Sequence, residues 1–96
     1  MITGSQLRAA RGLLNLSVSE LAERTGLAIN TIRRAEGTNG EPAITAANMK
    51  LLASALDTAG VLFIPADELG PGVRLKESDV TPVQPRRRRA AKDDDQ

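Results

Sequence analysis

The sequence predicts a mainly α fold: four short helices, then a β-hairpin and a charged tail. Three observations predict it. Apolar residues recur at helical spacing up to Gly60, as in Leu7, Ala10 and Leu14. Paired start signals and stop residues bracket those stretches: Thr3 with Gln6, Ser17 with Glu20, then Asn15, Gly26, Gly37 and Gly60. After Gly60 the pattern changes to a short apolar run, Val61 to Ile64, and from Glu77 onward apolar residues almost vanish.

The first helix is expected over residues 4–14. Thr3 followed by Gln6 forms a capping box, Leu7, Ala10 and Leu14 share one side, and Arg8 and Arg11 interrupt it. Asn15 suits the left-handed position that ends a helix. The second helix, 18–25, opens on the capping box of Ser17 and Glu20 and turns Leu21 and Ala22 to a core. Gly26 ends it. At two turns it cannot stand alone and must pack on its neighbours. The third, 29–36, has Ile32 and Ala35 on its inner side and Asn30, Arg33 and Arg34 elsewhere. Residues 38–42 are turn-formers. The fourth, 46–58, is capped by Thr45 with Ile44 as a staple, and Leu51, Leu52, Ala55 and Leu56 make its apolar face. Residues 61–64 read as a strand with both faces apolar. Residues 73–76 alternate apolar and polar as a half-buried strand does. Residues 1–76 thus make one domain, and 77–96 a disordered charged tail.

Composition excludes several chemistries. The 96 residues include no Cys and no His, which removes thiolate and most zinc sites, haem ligation, and nucleophile systems that need either residue. Phe63 is the only aromatic residue, too few for a platform that stacks single-stranded bases. The longest apolar run has four residues, so no membrane span is expected, and no signal peptide is visible at the start. A cytoplasmic protein without cofactor or metal is the expectation. Residues 1–40 carry a net charge of +2, residues 77–96 none, so charge alone points to no partner.

The informative span is Ser17 to Glu36. Two short helices meet at Gly26, which lets the chain reverse without a Cβ clash, and small Ala22 lets them approach closely. Leu21 and Ala22 face Ile32. These are the requirements of a helix-turn-helix, and they leave the N-terminal half of the third helix outward, free to enter a major groove.

The string SVSELAERTGLAINTIRRAEG (residues 17–37) resembles the helix-turn-helix of the Cro and phage-repressor family, the xenobiotic-response-element type. The resemblance spans residues 3–60 and is strongest at Glu20-Leu21-Ala22, Gly26, Ile32, Glu36 and Arg11. It implies a lambda-repressor-like four-helix domain that binds double-stranded DNA. It further implies an ion pair between Arg11 and Glu36, base-edge contacts from Ile29, Asn30 and Arg34, and a phosphate contact from Arg33, joined by Ser17, Ser19 and Thr31. Val18, Ala28 and Ala35 depart from the family's usual residues, which are polar, a Ser or Thr cap, and larger. The segment Gly70-Pro71-Gly72-Val73-Arg74-Leu75 is similar to a subset of small bacterial members.

The chemistry of these side chains agrees with that implication. Arg34 can donate twice to guanine O6 and N7, Asn30 can pair with adenine N6 and N7, and Ile29 can meet a thymine methyl. Each has a plainer alternative: Arg33 and Arg34 as a solvated face, Ile29 as a core residue. Arg86 to Arg89 read either as a solvated tail or as an arm on phosphate. The hairpin is too small to bury both apolar faces, so Val61, Phe63 and Ile64 are expected at a homodimer contact. The expected function is a bacterial, cytoplasmic transcriptional regulator, a repressor, reading an operator through the third helix. The alternative is a protein-interaction module of the same fold, an antitoxin or anti-activator, gripping a partner protein through its hairpin or tail. An enzyme is not expected. Gly70-Pro71-Gly72 lacks the lysine of a phosphate loop, Asp93 to Asp95 lack the pattern of a calcium loop, and Glu20 and Glu23 sit without a cleft.

Overall fold

Three of the four helices start where a side chain satisfies a free amide of the first turn. In the computed structural model, which describes residues 1–77, α1 (Gly4–Leu14) is capped by Thr3. Its Oγ1 accepts from the Gln6 amide (3.1 Å), and the Gln6 carboxamide accepts from the Thr3 amide (2.8 Å). Helix α2 (Val18–Thr25) repeats the device with Ser17 and Glu20. Helix α4 (Ala46–Ala59) is capped by Thr45, which accepts from the Asn48 amide. Helix α3 (Ile29–Glu36) follows Ala28 and has no side-chain cap. Asn15 (φ 58°) and Gly26 (φ 77°) take the left-handed conformation that ends α1 and α2. Gly37 stays right-handed (φ −78°), so α3 ends without that device.

The core forms where the four helices meet the hairpin. Leu7, Ala10 and Leu14 of α1, Leu21 of α2, Ile32 and Ala35 of α3, Leu52 and Leu56 of α4, and Val61 are all buried. Each fully buried Leu, Ile or Val contributes about 1.5–3 kcal/mol relative to exposure, which is how helices of two turns are held. Helix α1 is central: it packs on α3, α4 and both strands, while α2 packs on α3 and α4. Two segments of the chain pack closely at Gly4. A Cβ there would lie 2.0 Å from the Thr38 carbonyl oxygen and 2.6 Å from that of Ala35, so only glycine fits.

Strands β1 (Val61–Ile64) and β2 (Gly72–Leu75) pair antiparallel, with Val61 opposite Leu75 and Ile64 opposite Gly72. Strand β2 therefore starts and ends one residue earlier than its alternation suggests. Lys76 instead turns back: its amide donates to Gly60 O and its ammonium meets Asp57. Helix α4 runs one residue further than expected, to Ala59.

Three other expectations are corrected. Leu51 is 47% exposed, because adjacent residues lie about 100° apart on a helix and Leu52 takes the inward position. The hairpin buries one face only: Val61, Phe63, Val73 and Leu75 pack on the helices, and Leu62 is 50% exposed. Val61 is fully enclosed in the core of a single chain, which removes it from the residues available to a second subunit. A polar tie also joins α1 to the hairpin. Buried Gln6 donates from Nε2 to the carbonyls of Ile64 (3.0 Å) and Gly72 (2.9 Å), so one amide caps α1 and holds the end of both strands. The charged tail, with Arg86 to Arg89, lies outside the described residues.

Candidate nucleic-acid interface

Helix α2 is the platform on which α3 rests. Leu21 is buried behind it, Ala22 half-buried, and Ile32 and Ala35 fill the space between. Gly26 makes the turn, and Thr25 reinforces it: its hydroxyl donates to Leu21 O (2.9 Å) and accepts from the Leu27 amide (3.2 Å). Val18, the apolar departure at the start of α2, packs on the core. Ala35, the small departure on α3, is buried, and its carbonyl oxygen lies against Gly4.

The opposite side of α3 is open. Asn30, Arg33 and Arg34 are exposed, Ile29 is 39% exposed, and Thr31 is half-buried. Ile29 is thus no core residue. Among the described residues, Asn30, Arg33 and Arg34 make no side-chain hydrogen bond or ion pair. Ser17 and Ser19 are exposed at the start of α2. Ser17 Oγ accepts from the Glu20 amide. Ile29, Asn30, Arg33 and Arg34 are therefore exposed on α3 and Ser17 and Ser19 at the head of α2, while Thr31 on α3 is half-buried.

Behind α3 lies the ion pair. Arg11 Nε donates to Glu36 Oε2 and Nη2 to Oε1, both at 2.9 Å, while Nη1 donates to Leu16 O at 3.1 Å. The Glu36 side chain is 7% exposed and that of Arg11 25%. Hydrogen bonding to Glu36 holds the guanidinium pKa above its ordinary value, against the opposing effect of burial. This pair joins α1 to the last residue of α3. At the head of α2, the Glu20 carboxyl is held below its ordinary pKa, first by the Ser17 amide and then by the Ser17 hydroxyl.

Sequence reasoning misses Arg8, which reads as a polar interruption of α1 with only a surface charge. Its Nη1 donates to the carbonyls of Glu36 and Thr38, and its Nη2 to Asn39 Oδ1. The one signal for it is spacing: Arg8 stands three residues before Arg11, on the same side of α1.

The arrangement has no group of three acidic side chains that could hold a metal among the described residues. No helix among them is long and apolar enough to cross a membrane. What it offers is a short helix with two free guanidinium groups and one carboxamide, backed by a rigid platform. Such a helix can bring hydrogen-bond donors to a polyanion and to base edges together. No curated protein matches the chain. A family model described as helix-turn-helix, of the XRE, Cro and lambda-repressor type, matches residues 7–63, which takes in α1 from Leu7 onward, all of α2, α3 and α4, and most of β1. The chain belongs to that DNA-binding helix-turn-helix family.

Proposed function

We propose that this protein is a sequence-specific transcriptional regulator of the bacterial type, a cytoplasmic repressor that acts by occupying its operator. Helix α3 enters the major groove. Ile29, Asn30 and Arg34 read base edges, and Arg33, Thr31, Ser17 and Ser19 meet phosphates. The observation that carries this reading is the division of α3. Ile32 and Ala35 are buried, while Asn30, Arg33 and Arg34 are exposed and unbonded to the described protein. Charged and polar groups held on a rigid base without internal partners are suited to an outside acceptor.

A helix of eight residues reads only a few base pairs. The reading therefore includes a homodimer on a two-fold operator, with half-sites about 34 Å apart. Exposed Leu62 and half-buried Ile64 lie on the hairpin face left for a second copy, with half-buried Phe63 packed on the helices behind them. Exposed Leu51 and Leu62 also favour the alternative reading of a protein-interaction module. Duplexes are selected from a random pool with the purified chain and sequenced. Enrichment of a two-fold motif supports the proposal, and a pool that stays random with salt-insensitive retention sinks it.

A further inference from the structure

Helix α3 is unusual in how its ends are held. No side chain caps its start, and its last turn passes into a right-handed Gly37 that leaves carbonyls in need of donors. The first two turns of α1 supply a donor to one of them, Glu36 O, and hold the loop that follows. Arg8 Nη1 donates to the carbonyls of Glu36 and Thr38 (3.3 Å to the latter), and Nη2 to Asn39 Oδ1 (2.6 Å). The Gly4 amide donates to Gly40 O (2.8 Å), and Ser5 Oγ to Asn39 O (3.3 Å). The missing Cβ of Gly4 lets the Thr38 carbonyl seat against α1.

Three further points separate Arg8 from an ordinary surface cation. Among the described residues it has no carboxylate in ion-pair range, and its acceptors are neutral. Those acceptors belong to three successive parts of one path: the last residue of α3, the turn after it, and the loop side chain at Asn39. One planar fork bridges them, a geometry a lysine ammonium cannot reproduce. Arg11 fixes the Glu36 side chain, and Arg8 fixes the Glu36 backbone together with the turn at Thr38 and Asn39.

We infer that Arg8 is a positioning residue for α3: by clamping residues 36–39 to α1, it sets the angle at which α3 meets the duplex. It governs how well Asn30 and Arg34 discriminate bases, and it does so without touching DNA. The inference rests on the DNA-reading role proposed above. Bidentate base contacts tolerate little misplacement, whereas attraction to phosphate tolerates much. Loosening the clamp therefore costs sequence discrimination and leaves general affinity in place.

The test compares wild type, Arg8→Lys, Arg8→Ala and Asn39→Ala for binding to the selected duplex and to a scrambled duplex at one salt concentration. Amide hydrogen exchange is followed in the free proteins, and folding is checked by circular dichroism. Arg8→Lys keeps the charge. It should lose about fivefold to tenfold in affinity for the selected duplex, a fraction of one base-pair contact, and stay within about twofold on the scrambled one. Asn39→Ala should show the same selective loss, and adding it to Arg8→Lys should cost little more. Exchange at the Gly4, Gly37 and Gly40 amides, whose bonds close this segment, should quicken in Arg8→Lys. Full recovery by lysine, or equal loss on both duplexes, would make Arg8 a phosphate contact and overturn the inference. Unchanged exchange at those amides would overturn it as well, whatever the duplexes show. A wild-type protein that binds both duplexes alike sinks the DNA-reading role and this role with it. Quickened exchange would then remain as the separate mark of the clamp.

Discussion

Replacing Arg11 with alanine should be the most damaging loss of a single charge in the domain. The magnitude comes from three features of the site. The substitution removes two 2.9 Å hydrogen bonds to Glu36 and one of 3.1 Å to Leu16 O. It leaves a carboxylate that is 7% exposed without its cation. Breaking a buried pair in this way costs about 3–5 kcal/mol. Arg11 itself is 25% exposed, so water can reach the vacated space, and about 2–4 kcal/mol is the appropriate range. For a domain of this size each kcal/mol moves the melting temperature by about 4–8 °C, so a fall of about 8–32 °C is expected. Arg8→Ala should cost only about 1 kcal/mol, since an exposed guanidinium gives up bonds to neutral acceptors that water replaces. Thermal melts followed by circular dichroism, at one pH and salt, decide the matter. The double variant Arg11→Met/Glu36→Leu should recover much of the loss, because no charge is then stranded. Arg11→Ala melting at or above Arg8→Ala would refute the reasoning.

Gly4→Ala should cost at least about 3 kcal/mol, the upper end for overpacking, because the new Cβ meets two backbone oxygens that cannot swing away. Gly12→Ala, a change into open space within α1, should instead stabilise by about 0.5–1 kcal/mol, and melts of the pair compare the two. Glu20 has its carboxyl pKa lowered in the folded state, so its share of stability is present above the unfolded pKa and lost as pH falls through the lower folded value. Acid titration of Glu20→Gln, which keeps a neutral capping side chain, should show a shallower decline over that window; an unchanged profile would remove the carboxylate from the account. Truncation after Glu77 removes Arg86 to Arg89. If all four meet phosphates, the logarithmic salt slope of duplex binding should flatten by about 3.6. An unchanged slope returns them to a solvated tail.

Legibility in the sequence divides by distance along the chain. The capping boxes at Thr3 and Ser17 are visible because each involves residues three apart, and Asn15 and Gly26 because left-handed φ is a local demand. The burial of Leu7, Ala10, Leu14, Ile32 and Ala35 follows from helical period. The open face of α3 follows as well, since a helix that buries Ile32 and Ala35 must turn Asn30, Arg33 and Arg34 away. Contacts that join distant segments leave no such trace. Gln6 reaches partners 58 and 66 residues away, and Arg8 partners 28 to 31 residues away. Nothing in their local spacing names a carbonyl as the destination. The pair Leu51-Leu52 is a matter of phase, where both are apolar and only one can face inward. Leu62 is exposed for a tertiary reason: the helices cover one face of the hairpin, and period alone cannot say that the other stays bare.

The proposed function turns on the reading of base sequence by the exposed side of α3. It is tested most directly by comparing the base preferences of wild type, Arg34→Ala and Arg33→Ala, each selected against the same random duplex pool at fixed salt. Arg34→Ala should lose about 1–3 kcal/mol on the preferred duplex and relax its choice at one position in each half-site. Arg33→Ala should weaken all duplexes evenly and leave the preferred sequence unchanged. A folded Arg34→Ala protein that enriches the wild-type motif with undiminished affinity would contradict the claim.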